Sequence, residues 1–213
     1  GVVYQMDRNG IYSYLGGARP DKRFSLVIQK YIDELSEADL AKCCMGTDGQ
    51  RLYTYIPDKI LEYDPKFGTW YVWEGISAAH FARVGDSFYV GDTKGRVLRF
   101  GGSTDAGEPI KGEWVSKPFT AESMSQVIRW LRAWVTANVP AGSSINVYMS
   151  KTVDGDDWVL VGNTQNNAGI MNKPIYLRSQ TLPNAKMLRI KIEFTGPVDI
   201  HEIAREEEHM PIR

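Results

Sequence analysis

Val3-Tyr-Gln-Met-Asp-Arg-Asn-Gly-Ile-Tyr12 reads as a strand, a tight polar turn and a second strand. Tyr4, Asp7 and Gly10 are its anchors, and Gly16 and Gly17 close the unit. The same frame returns 85 positions later as Tyr89, Asp92 and Gly95, closed by Gly101 and Gly102. Five anchors at one constant offset are the mark of a repeat. Each copy predicts a β-hairpin, with the glycine supplying the positive φ that the turn needs. A weaker copy lies between them. Leu52-Tyr-Thr-Tyr-Ile56, the turn Pro57-Asp58-Lys59 and Ile60-Leu-Glu-Tyr63 are again strand, turn, strand. The spacings are uneven, but their mean falls in the roughly 40–50-residue period of propeller blades.

Around these hairpins the first part of the chain reads as all-β with a short insertion. Tyr63-Asp-Pro-Lys-Phe-Gly68 followed by Thr69-Trp70 suits a strand, a Pro-initiated turn and a strand opening on a large aromatic. Ala78–Val84, Ser87–Val90 and Arg96–Phe100 supply further strands of a last blade. Apolar residues at 24, 27, 28, 31, 32 and 35 recur at helical spacing, so a short amphipathic helix is expected between blades.

Gly101-Gly-Ser-Thr-Asp-Ala-Gly-Glu-Pro109 is a change of composition that marks a boundary. Beyond it seven short strands are expected, at Glu113–Ser116, Gln126–Thr136, Ser144–Ser150, Trp158–Val161, Pro174–Leu177, Met187–Phe194 and Val198–Ile203. Ile145, Val147 and Met149 share one face, as do Leu188, Ile190, Ile192 and Phe194, with Arg189, Lys191 and Glu193 opposite. Regular short strands with Gly, Pro and Asn turns predict a β-sandwich. The polar stretch Ala204–Arg213 is expected along the surface. The expected architecture is therefore all-β: a partial β-propeller of two to three blades with a short inserted helix over 1–105, then a β-sandwich over 106–213.

A closed propeller needs at least four blades. The missing ones are expected upstream in a longer parent chain or from partner subunits, and the opening at Gly1 directly into a strand fits both.

Composition excludes some classes. With 25 basic and 26 acidic residues among 213, nothing points to a polyanion-binding surface, so dedicated nucleic-acid binding is not expected. No stretch approaches the ~20 apolar residues of a membrane helix, and a signal peptide with a basic start and apolar centre is not expected. The adjacent Cys43 and Cys44 read as reduced, partly buried thiols.

The hairpin Val3–Tyr12, the segment Ser25–Ile32, Tyr63-Asp64-Pro65 with Gly68-Thr69-Trp70, and Gly91-Asp92-Thr-Lys-Gly95 together resemble phage virion proteins with a propeller-like body. The closest in style are tail-hub, nozzle and DNA-stabilising proteins of short-tailed phages. The resemblance covers residues 1 to about 105 best and the second half in style only. It implies a structural component of the particle, made in host cytoplasm and residing in the virion. Its partners would be other virion proteins and copies of itself.

Catalytic signatures are missing. His80, His201 and His209 lack metal-ligand spacing, and no nucleophile elbow, phosphate loop or zincin motif occurs. No enzyme and no cofactor are expected. Ser150-Lys-Thr-Val-Asp154-Gly155-Asp-Asp157-Trp158 is similar to the Asp-box turn of sialidases but misses its spacing by one residue. Its carboxylates fit either a Ca²⁺ site or a solvated hairpin tip. A propeller-type glycosidase would draw on Arg83, Arg96 and Arg99 with a pair of acids. Asp64, Asp86 and Asp92 instead read as turn residues capping their own backbone. Among the 6 tryptophans, Trp70, Trp73, Trp130 and Trp134 are the candidate interface or ligand aromatics, whether for a protein partner or, in the alternative reading, a glycan on a host surface. Trp130 and Trp134, four apart, are expected on one face of their strand, one in the core and the other at an interface.

Overall fold

The aspartates of the hairpin tips build their own turns. Asp7 Oδ1 accepts the Asn9 N–H at 2.7 Å, Asp64 Oδ1 the Lys66 N–H at 2.9 Å, and Asp92 Oδ1 those of Lys94 at 2.9 Å and Arg96 at 2.7 Å. Gly95 then takes φ 81°, a conformation that costs a side-chain-bearing residue energy. The computed structural model describes residues 2–17, 22–123, 126–163, 169–171, 175–176 and 184–211. Within them the chain is all-β and divides into two compact units, Gly1–Gly101 and Gly102–Arg213, the break falling in the glycine-rich stretch.

The first unit holds three antiparallel sheets. β1 (Val3–Asp7), β2 (Gly10–Tyr14) and β3 (Lys22–Arg23) form the first. A 3₁₀ turn (Ser25–Ile28), α1 (Gln29–Asp33) and α2 (Glu37–Leu40) follow. β4 (Cys44–Thr47), β5 (Leu52–Ile56), β6 (Lys59–Asp64) and β7 (Thr69–Glu74) form the second, in that order. β8 (Ala78–Val84), β9 (Ser87–Asp92) and β10 (Val97–Arg99) form the third.

The second sheet is buried on both faces. Leu52, Ile56 and Leu61 pack with Ile11, Ile28 and Ile32, whereas Tyr53, Tyr55 and Ile60 pack with Ala78, Phe88 and Val90. Alternate residues of β5 and β6 thus feed two separate cores, and all five residues of β5 are buried. The helical insertion closes the first core with Ile28 and Ile32. Val27, expected on its apolar face, is 83% exposed, because the first turn is 3₁₀ and its tighter winding rotates that position outward. Among the described residues no helix is long and apolar enough to cross a membrane.

The second unit opens with a two-stranded ribbon, β11 (Thr104–Asp105) and β12 (Glu108–Pro109). Then come β13 (Lys111–Val115), β14 (Phe119–Thr120), β15 (Gln126–Val139), β16 (Ser144–Ser150), β17 (Val159–Asn163), β18 (Gly169–Met171), β19 (Ile175–Tyr176), β20 (Met187–Thr195) and β21 (Asp199–Pro211). One sheet runs β13-β20-β16-β17, with β14 beside the start of β20. The other centres on β15, flanked by β18 and β19 and by β21. Ile145, Val147 and Met149, Leu188, Ile190 and Ile192, and Ile128, Trp130, Ala133 and Val135 form one core drawn from both sheets. Of the strand expected at Pro174–Leu177, Ile175–Tyr176 is present and its two ends lie outside the described residues.

The tail lies along the surface, with none of residues 204–211 buried, but as a regular paired strand. β21 runs through Pro211 and pairs with β15 from Gln126 to Asn138. Its acids meet cations across the pair, Glu208 with Arg129 at 3.6 Å and Glu206 with Arg132 at 2.5 Å. The run looks like a solvated tail because its partner charges lie far away in sequence.

Candidate functional site

The most organised polar cluster lies on the face of the second sheet that packs toward β8 and β9. The β4–β5 turn is built by Asp48, whose Oδ1 accepts the N–H groups of Gln50 and Arg51, each at 2.7 Å. That turn aims Arg51 along the sheet, where Nη1 donates to Glu62 Oε1 at 2.6 Å and Nε lies 3.4 Å from Asp64 Oδ2. The Trp73 indole N–H donates to Glu62 Oε2 at 2.7 Å, and the Tyr53 hydroxyl donates to Asp48 Oδ2 at 3.1 Å. Glu62 is 2% exposed and both of its oxygens are engaged.

Its charges are tuned in opposite directions. Burial pushes the Glu62 carboxyl up, and the Trp73 and Arg51 hydrogen bonds only partly offset it. Burial also works against the Arg51 charge, yet Glu62, Tyr53 and Asp64 together raise its pKa. For the carboxylate, burial decides; Arg51, 44% exposed along its side chain, keeps its charge with ease. Asp48 is held below its ordinary value: burial opposes this, but the Arg51 and Gln50 N–H groups outweigh it. Burial and the nearby Glu62 and Asp48 raise the Tyr53 phenol.

This geometry does not suit acid–base chemistry. Two buried acids, Glu62 and Asp64, share one guanidinium, whereas glycoside hydrolysis needs two acids on either side of a substrate. The three candidate arginines are dispersed. Arg96 Nε donates to Asp92 Oδ2 at 2.6 Å, Arg83 Nε donates to the Gly85 carbonyl at 3.1 Å, and Arg99 ends β10. A shallow hollow of about 210 Å³ lies elsewhere, lined by Met6, Asp7, Leu40, Cys43, Cys44 and Met45. It does not coincide with the polar cluster, and the cluster is the better-built feature because its groups are mutually bonded. Burial raises both thiols, Cys44 to about 11, and the Cys43 thiol donates to the Asp39 carbonyl at 3.3 Å.

In the β16–β17 loop, Asp157 Oδ1 accepts from Ser150 Oγ at 2.5 Å, Thr152 Oγ1 at 3.0 Å and the Lys151 N–H at 3.2 Å. Gly155 lies so close to the Trp158 ring that a Cβ there would sit 2.9 Å from it. The carboxylate therefore organises its own loop, with Trp158 as a lid. Among the described residues no three His, Cys, Asp or Glu side chains gather in a way that could hold a metal.

Within neither unit do the candidate tryptophans form one surface. Trp70 stacks on Phe24 at 5.7 Å and lies 4.8 Å from Tyr63, at the margin of the first core. Trp73 is 40% exposed on β7. Trp130 is 2% exposed, and its indole N–H has no hydrogen-bond partner among the described residues. Trp134 is half-buried, with the Arg132 guanidinium 5.5 Å from its ring.

Trp130 and Trp134 lie on opposite faces, not on one. β15 carries an extra residue, Leu131, between its pairings Trp130–Glu207 and Arg132–Glu206, and this β-bulge reverses the alternation. Inward positions run Ile128 and Trp130, then Ala133, Val135 and Ala137. The Arg51–Glu62 cluster, the exposed Tyr71 beside Trp73, and Trp114, 42% exposed on β13, were not anticipated. The one available signal was an acid inside the apolar run Ile60-Leu-Glu-Tyr63, two residues before Asp64. No protein-family model matches the chain, and no curated protein matches it significantly.

Proposed function

We propose that the chain is a structural subunit that works by forming interfaces within a larger particle, in keeping with its resemblance to propeller-bodied phage virion proteins. The first unit is read as three blades of an incomplete propeller, and the second as a β-sandwich. The observation that carries this is the open stack in the first unit. The middle sheet is covered on both faces, but the end sheets present outer residues to solvent, with Val3 58% exposed on β1, Val84 67% on β8 and Val97 74% on β10. Such faces are those that further blades or neighbouring subunits cover.

On this reading the chain is not an enzyme, its partners are virion proteins and further copies of itself, and its place is the virion. Binding of a host-surface glycan is less well supported, since within each unit the two candidate tryptophans lie on opposite faces of their strand and Trp73 alone of the four is strongly exposed. Light scattering tests the proposal. The expected result is a mass at a multiple of 24.0 kDa, and a strict monomer at all accessible concentrations would overturn it. A gene lying among head and tail genes is the expected companion result.

A further inference from the structure

β7 has β6 on one side and, among the described residues, no strand on the other. Its free edge is Thr69-Trp-Tyr-Val-Trp-Glu74, paired to β6 in one unbroken register. Protein edge strands are ordinarily blunted by charge, Pro, Gly or a bulge. Several here are: β21 is laced with charges and ends on Pro211, β17 contains Gly162 and pairs through a bulge, and β4 is four residues long with Gly46 inside it. β7 has none of these inside it, its one charge standing at the last position. Tyr71, Val72 and Trp73 are 49%, 39% and 40% exposed on it. A row of unpaired backbone groups with large apolar side chains fits another extended strand, which supplies hydrogen bonds from its backbone and contacts from alternate side chains.

The sequence of the strand indicates which one. Antiparallel pairing about a two-fold axis sets residues of equal parity opposite each other, so the axis passes through a residue. Centred on Val72, Tyr71 of each copy meets Trp73 of the other on one face. Val72 meets its own counterpart, and Trp70 stands opposite Glu74 on the other face. Aromatic pairs directly across a ladder are favourable, and the register produces two identical ones. We propose that β7 is the contact through which two copies of this chain join, edge to edge and antiparallel about Val72, fusing their four-stranded sheets into one. The contact is isologous, so it closes at two copies and leaves the outer faces of both stacks free. It rests on the interface-forming role proposed above and specifies one of its contacts.

Two variants test it with the full chain. V72C places two thiols on the axis, where opposed Cα atoms are about 4.5–5.5 Å apart, within disulfide range. Mild oxidation is expected to give a covalent dimer linked 72 to 72, identified by peptide mass spectrometry. V153C, exposed in the β16–β17 loop, is expected to give no 153 to 153 link. V72K sets two ammonium groups opposite one another, and at least about a tenfold loss of association is expected, with the circular dichroism spectrum unchanged. An oligomer that persists in V72K and yields no 72 to 72 link would overturn the edge contact and leave the assembly role standing. A strict monomer in the unmodified chain would overturn both.

Discussion

At the scale of single residues, Glu62 behaves unlike the other organised acids. Asp48, Asp92 and Asp157 are held below their ordinary values by backbone and hydroxyl donors, so they add stability as pH rises. Glu62 is raised by burial, so its folded form keeps a proton that the unfolded form has lost. Stability from this group is full below its ordinary value of 4.5 and falls as pH rises from there to the raised value. Glu62→Gln removes that titration while keeping an acceptor for Arg51 or Trp73. The difference in Tm between the variant and the unmodified chain is therefore expected to move in the variant's favour from below pH 4.5 to neutrality. Calorimetry across that range checks it, and a flat difference would remove burial as the controlling influence. Gly46 gives a steric counterpart. A Cβ there would sit 2.3 Å from the Phe81 Cβ, the root of that side chain, so it cannot be relieved by a rotamer change alone. Gly46→Ala is expected to cost about 1–3 kcal/mol in urea unfolding, the ordinary range for overpacking a core.

At the scale of elements, two bulges fix the long pair of β15 and β21. Leu131 is the extra residue on β15, and His201 is the extra residue on β21, between the pairings Thr136–Glu202 and Ala137–Ile200. They let Trp130 and Ala133, and likewise Ile200 and Ile203, point into one core from odd spacings. Deleting Leu131 would turn either Ile128 and Trp130 or the whole run Ala133–Val139 outward. Loss of cooperative unfolding is the expected outcome, read by circular dichroism in urea. Retention of a native melt would show that the bulge is dispensable. These features also explain what the sequence made legible. β16 and β20 were readable because their period of two is unbroken, and the hairpin tips because an Asp turn is a local bond between residues two apart. β15 and β21 were misread because a bulge is set by its partner strand, which lay more than 60 positions away. The exposure of Tyr71 and Trp73 was not readable either, since it depends on which strand ends up at the edge of its sheet.

At the scale of the whole molecule, the two units have separate cores, and the repeated hairpin belongs to the first alone. Its copies are the opening hairpin of the first sheet, β1–β2, and the last of the third, β9–β10. Separately expressed segments 1–101 and 102–213 are expected each to unfold in a cooperative transition, because each retains a complete set of its own core contacts. A segment that stays unfolded alone would show that its core depends on the other unit. With Cys43 raised above 9.0 and Cys44 to about 11, scarcely any native thiolate is present at neutral pH, and the thiolate is what maleimides and iodoacetamides attack. The native thiols are therefore expected to label more slowly than an introduced surface cysteine, so brief reaction near neutral pH favours the introduced one. A dye or spin label can then be directed to an introduced surface cysteine without first replacing Cys43 and Cys44, so distances within an assembly can be measured on an otherwise native chain.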